Sequence, residues 1–397
     1  MKKSQKAPAF MPELVTDILL RLPVETLLRF RCLSTSLCAE IDSPDFAKNH
    51  LCRSIQSKTR QKLIINNEDF MDPTDFFYAN FDSNFEYTIL LNNPLKSSYR
   101  CTSVCGSCNG LFLLGIFVKD QTMDFALWNP FTKRYRKLPP CPVQTLPGYK
   151  KFISFGLGCD SALNDYKTVM IAKIHDSNDD DDDDDDCVHF QVWVFSLKSD
   201  SWKRIQDVED ELTTWVGSFA NGALYWGCEN KFVGFDLANE VFFDLPLLND
   251  CGPAAIYYDI VVVFGGNVYT PIIHAEEDTI EFYLWVDDDG GEVAGGCWRK
   301  EFTLEKEKNI SFSLFPPFPL AYSKEGDGIL LHKGNLIYWY NFETKKRRRV
   351  KIHLIPDIPT YNFHVCWESL VSPGNNTAFD GEAEEVILGD LEADSDE

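Results

Sequence analysis

Apolar positions along the chain follow two rhythms, and they divide it. Between Met11 and Leu33, 13 of 23 positions are apolar, and Leu14, Ile18 and Leu22 recur at i, i+4 and i+8 with Val15 and Leu19 beside them. That spacing predicts one apolar face of a helix. Pro12 suits a first turn, where the missing N–H has no intrahelical partner, and Pro23 stops the helix. A second helix is expected with Leu27, Leu28, Arg31 and Cys32, and "TSLCAEIDSPDFAKNHL" predicts two short turns broken at Ser43-Pro44, ending the helical pattern near Ser54. So many apolar side chains on so short a unit need a cover.

After Lys62 the rhythm shortens. "LFLLGIF", "KTVMIAKI", "FQVWVFSL", "ALYWG", "IVVVFGG", "EFYLWV" and "GILLHKGNLIYWY" read as strands, rich in aromatic and branched residues and separated by Asn, Asp, Gly and Pro. The segments at 128–138, 195–205, 235–245 and 340–350 share one form, an aromatic, a polar turn and a second strand. A fifth, longer version joins "FYLWV" to "CWRKEFTL". Hairpins starting 40 to 67 residues apart predict the outer halves of four-stranded propeller blades. "QKLIINNEDF" and "FEYTILLNN" at the front and "HVCWESLVS" at the back supply strands for a closing blade. The expected fold is α+β and multidomain: a small helical unit followed by an all-β, propeller-like domain of about six irregular blades.

Composition changes this picture little. The 397 residues, 44% hydrophobic and 14% aromatic, suffice for one large core and a small one. The net charge of −23 is concentrated: Asp179 to Asp186 contribute 8 negative charges, and Asp380 to Glu397 contribute 9 with no Lys or Arg. The body is only mildly acidic and has no basic stripe, which argues against nucleic acid as a partner. Thirteen scattered cysteines fit buried thiols in a reducing compartment better than a disulfide framework. With no apolar run of membrane-spanning length and no secretory leader pattern, the expectation is a protein of the cytoplasm or nucleus without a membrane partner.

Candidate chemistry is sparse. "CGSC" at 105–108 resembles redox and protease signatures, but it lacks their flanking context and predicts structural thiols before a tight Asn109-Gly110 turn. Seven dispersed His residues show no metal spacing. No catalytic residue, metal or cofactor is expected. The Asp run reads as a solvated loop, with an electrostatic lure for a basic target and weak Ca²⁺ binding as alternatives. "KKRRRVK" at 345–351 reads as an exposed edge, with a nuclear import signal as the alternative. In the tail, "EEVILGDLE" is at most a docking peptide.

"MPELVTDILLRLPVETLLRFRCLSTSLCAEIDSPDFAKNHL" resembles an F-box, the three-helix module that docks onto the adaptor Skp1. "SCNGLFLL", "LWNPFTKRYRKLP", "FGLGCDSALNDYKTVMI", "VWVFSLKSDSWKRI", "GALYWG", "FDLANEVFFDLPL" and "ESLVSP" are similar to the F-box-associated domain of plant F-box proteins, a group that includes defence-regulating and self-incompatibility members. The implied division is a flexible terminus at 1–9, an F-box at 10–55, a propeller-like domain at 60–375 with an acidic insertion at 176–187, and an acidic disordered tail at 376–397. The resemblance implies the substrate receptor of a Skp1-cullin-F-box ubiquitin ligase, partnered by a Skp1-like adaptor and, through it, by cullin and RING subunits. Adaptor contact then falls to Pro12, Leu14, Ile18, Leu19, Leu22, Pro23, Leu27, Leu28, Arg31 and Leu33. Target contact falls to loops on the propeller faces. A Skp1-binding protein that does not ubiquitylate its partner and a propeller enzyme are the competing readings.

Overall fold

A computed structural model of the chain describes residues 12–67, 74–81, 85, 87–96, 101–117, 123–143, 151–175, 188–208, 211–229, 231–248, 255–257, 260–274, 279–287, 296–305, 317–352, 361–374 and 377–378. The first of these segments holds four helices, α1 (Pro12–Leu19), α2 (Val24–Phe30), α3 (Thr35–Ile41) and α4 (Pro44–Gln56). This corrects the three-helix expectation. The two short turns expected after Ser34 are α3 and the 13-residue α4. Side-chain caps explain both starts: Ser34 Oγ accepts from the Leu37 N–H and Ser43 Oγ from the Phe46 N–H, each at 3.2 Å. Pro44 then occupies a helical position that needs no donor. Leu19, Val24, Leu27, Ile41, Phe46 and Ala47 form the helical core, joined by Leu370 from the far end of the chain.

The remainder is all-β. Each of the five hairpins read from the sequence is present as an antiparallel pair: Met123–Asn129 with Arg134–Lys137, Val188–Ser196 with Ser201–Arg204, Lys231–Asp236 with Val241–Pro246, Thr279–Asp287 with Gly296–Glu305, and Leu336–Asn341 with Arg347–Val350. Each lies on the outer side of its sheet. The two chain ends share a sheet, with Gln61 opposite Trp367 and Asn67 opposite Tyr361, which removes two edges that would otherwise be open.

The count of about six blades is corrected. Among the described residues the strands form five sheets: four of blade size, with four or five strands apiece, and one of eight strands. The long sheet arises because Val216 and Gly217 pair in parallel with Phe155 and Gly156, so hydrogen bonding runs on between two innermost strands. Gly156 also makes room for the side chains packed over this junction; a Cβ there would lie 2.7 Å from Leu224 Cδ1.

Candidate functional site

Helical geometry sorts the residues assigned to adaptor contact. Leu14 and Ile18, one turn apart on α1, are 50% and 49% exposed, and Leu33 after α2 is 67% exposed. Pro23 is exposed as well, while Leu22, Leu28 and Arg31 are partly buried. Pro12 opens α1, and its side chain lies outside the described residues. Leu19 and Leu27 are 3% and 0% exposed and point into the helical core, where they support the surface from behind. Arg31 donates to Asp42 Oδ2 at 2.6 Å, which ties the end of α2 to the end of α3.

The turn between α1 and α2 is held by residues that the sequence did not mark. Burial of a helix end leaves its backbone groups in need of partners. The Val24 N–H, first in α2, donates to Glu368 Oε1, and the other Glu368 oxygen meets Lys62 Nζ at 3.1 Å. Beyond α1, the Leu22 carbonyl accepts from Arg60 Nη1 at 2.7 Å and from His50 Nε2 at 2.9 Å. Arg60 also reaches the Leu20 carbonyl at 3.3 Å and Ser54 Oγ at 2.6 Å. Burial pushes the His50 imidazole below its ordinary value, so it is neutral at pH 7, with its proton on the nitrogen that faces the carbonyl. Asn129 Nδ2 donates to the carbonyls of Ser369 and Val371 at 3.0 and 2.8 Å, fixing the segment that carries Glu368 and Leu370. Leu51 of α4 packs in the opposite sense, into the β core. The helical unit is therefore bolted to the β domain on both sides of Pro23.

A second feature is a cleft of about 1710 Å³ lined by inner strands along their length and by the turns that follow them. Its lining includes the turns Asn109-Gly110, Asn221 and Gly265-Gly266, with Ile55 in the last turn of α4 and Lys58 just beyond it. Positive φ at Asn109, Gly110, Asn221 and Gly265 lets these turns reverse tightly. Cys108 lines the cleft yet is buried; burial pushes its thiol well up and that of Cys105 up to about 12, so "CGSC" holds no thiolate nucleophile. His332 and His364 are pushed down to about 4 by burial and are neutral at pH 7. Among the described residues no three His, Cys, Asp or Glu side chains gather as metal ligands. Arg347–Val350 of the basic run forms an outermost strand, with Arg348 and Arg349 exposed. The Asp run and the tail beyond Ala378 lie outside the described residues. No described helix is long and apolar enough to cross a membrane.

Comparison with known proteins places both parts. The F-box domain matches residues 11–49, and the F-box associated beta propeller domain matches residues 62–364. F-box protein CPR1 of Arabidopsis thaliana is 29% identical over 388 residues, covering 90% of this chain and 88% of that protein. Another Arabidopsis F-box protein is 25% identical over 358 residues, covering 84% and 83%. An Arabidopsis F-box/kelch-repeat protein is 23% identical over 258 residues, covering 60% and 66%. With its second match spanning most of its length and the first covering the helices in front, the chain belongs to the family of F-box proteins that carry an F-box associated beta propeller domain.

Proposed function

We propose that the chain is the substrate-recognition subunit of a Skp1-cullin-F-box ubiquitin ligase. In this reading the exposed face of α1 and α2 holds a Skp1-type adaptor, and through it the cullin and RING subunits. The β domain presents a protein target, and the chain itself performs no bond chemistry. Its contribution is proximity, holding a target lysine near a ubiquitin-loaded enzyme carried by other subunits.

The observation that carries this reading is the exposure of Leu14, Ile18 and Leu33 on a unit whose other side is already covered by Leu370, Phe131 and the bonds around Glu368. The buried Leu19 and Leu27 act in this scheme by shaping that face. Burying a Leu-sized side chain contributes about 1.5–3 kcal/mol, and each 1.4 kcal/mol is roughly tenfold in affinity. Leu14→Asp combined with Ile18→Asp should therefore weaken adaptor binding at least about 100-fold. Because both sites are half exposed, the melting temperature should hold. Undiminished co-purification of the adaptor with this variant would sink the proposal. A target whose ubiquitylation is unchanged when the chain is removed would sink its ligase part.

A further inference from the structure

The cleft carries an electrostatic mismatch with the rest of the chain. Within a protein of net charge −23, its lining holds five basic side chains, Lys58, Lys324, Lys346, Arg347 and Arg348, against the carboxylates of Glu325 and Asp327. Asp327 is occupied inside its own turn, accepting from Ser323 Oγ at 2.6 Å and Asn341 Nδ2 at 2.9 Å. Lys58, Lys324 and Lys346 are exposed, and their ammonium groups form no ion pair among the described residues. Between them the wall is aromatic, with Phe219, Phe264, Tyr322 and Trp339. Sites for single small ligands occupy about 300–1,000 Å³; at about 1710 Å³ this cleft has room for an extended segment. Its chemistry asks for carboxylates flanking an apolar centre.

One segment of the chain answers that description. Residues 380–397 bear 9 acidic side chains and no Lys or Arg, and Val386, Ile387 and Leu388 stand between Glu384-Glu385 and Asp390. The route to the cleft follows from strand register. Phe112 pairs with Trp128, so the turn at Asn109-Gly110 and the turn after Asn129 lie at the same end of their sheet. Thr377 pairs with Tyr135 and Ala378 with Arg134, so the chain passing Ala378 is heading toward that end. Asn109 and Gly110 line the cleft. The 19 residues past Ala378 can span at most roughly 60 Å when extended.

We propose that the basic cleft takes the chain's own acidic C-terminal segment, residues 379–397, as an intramolecular occupant. Val386, Ile387 and Leu388 lie against the aromatic wall, and the flanking carboxylates meet Lys58, Lys324 and Lys346. Any acidic segment of another protein has to displace it. This inference does not depend on adaptor binding.

Zero-length carbodiimide coupling of the full chain joins carboxylates to lysines in contact. Mass spectrometry should find the tail linked to Lys58, Lys324 and Lys346 in preference to other exposed lysines. Digestion of the full chain with a Glu-specific protease supplies a readout that does not require those lysines to react. Cleavage within the tail should accelerate several-fold in Lys58→Glu/Lys324→Glu/Lys346→Glu, and likewise for the unchanged chain at 1 M salt, where charge attraction is screened. Links scattered over all exposed lysines, or equal cleavage rates in the two proteins, would overturn the proposal. Links found only between isotopically distinct chains in a mixed sample would also overturn it, by assigning the cleft to a second copy.

Discussion

Cys105 and Cys108 look reactive as a motif and are inert as side chains, because burial disfavours the thiolate. Alkylation of the native chain at pH 8 should label the exposed Cys32, Cys52 and Cys297 and spare Cys105, Cys108 and Cys366 until denaturant is added, as peptide mass spectrometry would report. The turn that follows depends on glycine for two separate reasons. Gly110 has φ +79°, and a Cβ there would come within 2.6 Å of Ser369 Oγ and of the Trp367 carbonyl. Gly222 has φ +82° with open space around it. A left-handed backbone costs an ordinary residue roughly 1–2 kcal/mol. Gly222→Ala should lose about that much stability, and Gly110→Ala clearly more, measured by urea midpoints. Equal losses would mean that the crowding at Gly110 is relieved without cost.

Among the elements, the α1–α2 turn has the most to lose. Glu368 is the shared partner of the Val24 N–H and Lys62, and breaking a buried ionic contact from one side costs roughly 3–5 kcal/mol. Lys62 keeps Asn80 Oδ1 at 2.5 Å, so Glu368→Ala should fall at the low end, about 3 kcal/mol. Glu368→Gln, which retains an acceptor for Val24, should lose less, and chemical denaturation would rank the two. Leu27→Ala tests the same unit from inside: emptying a fully buried leucine site costs about 2–5 kcal/mol. Under the proposed role, adaptor binding by this variant should recover at low temperature, where its helices are folded, whereas Leu14→Asp should stay defective at every temperature.

For the whole molecule, stability should vary with pH in two separate windows. His332 and His364 titrate near 4 when folded and near 6.5 when free, so the unfolded chain binds more protons between those values. Their contribution is fully present above about pH 6.5 and is lost as pH falls toward 4. Glu240 belongs to the second window: against the cost of its burial, Lys203 and Lys167 hold its carboxyl below the usual range, so its contribution disappears only in more acidic solution. Thermal melts from pH 7.5 to 4.5 should show a falling midpoint, and His332→Gln should flatten that fall. A wild-type midpoint that is level across this range would refute the assignment of neutral buried imidazoles. At this scale the helices and the β domain also behave as one body, since Arg60, Glu368 and Leu370 join them on one side and Leu51 on the other.

Much of this architecture is legible in the residues themselves. The five hairpins and the apolar face of α1 follow from alternation at two or at 3.6 residues, because a side chain's direction is set by its own backbone. That local rule predicts an apolar stripe without saying how the stripe is shared. Leu14 and Ile18 stay exposed while Leu19 and Leu27 turn inward, and only packing against Ile41, Phe46 and Leu370 decides it. The bond from Val24 to Glu368 joins positions 344 residues apart, and no periodicity reports on such a distance. The joining of two four-stranded groups into one sheet rests on a short contact between glycine-bearing strands, and the basic cleft on lysines brought together from distant turns. Local stereochemistry, written in neighbouring residues, determined the elements; the positions of the exposed face, the bolt behind it and the cleft were decided by tertiary contact, where burial, charge and close approach act between residues that the chain order keeps apart.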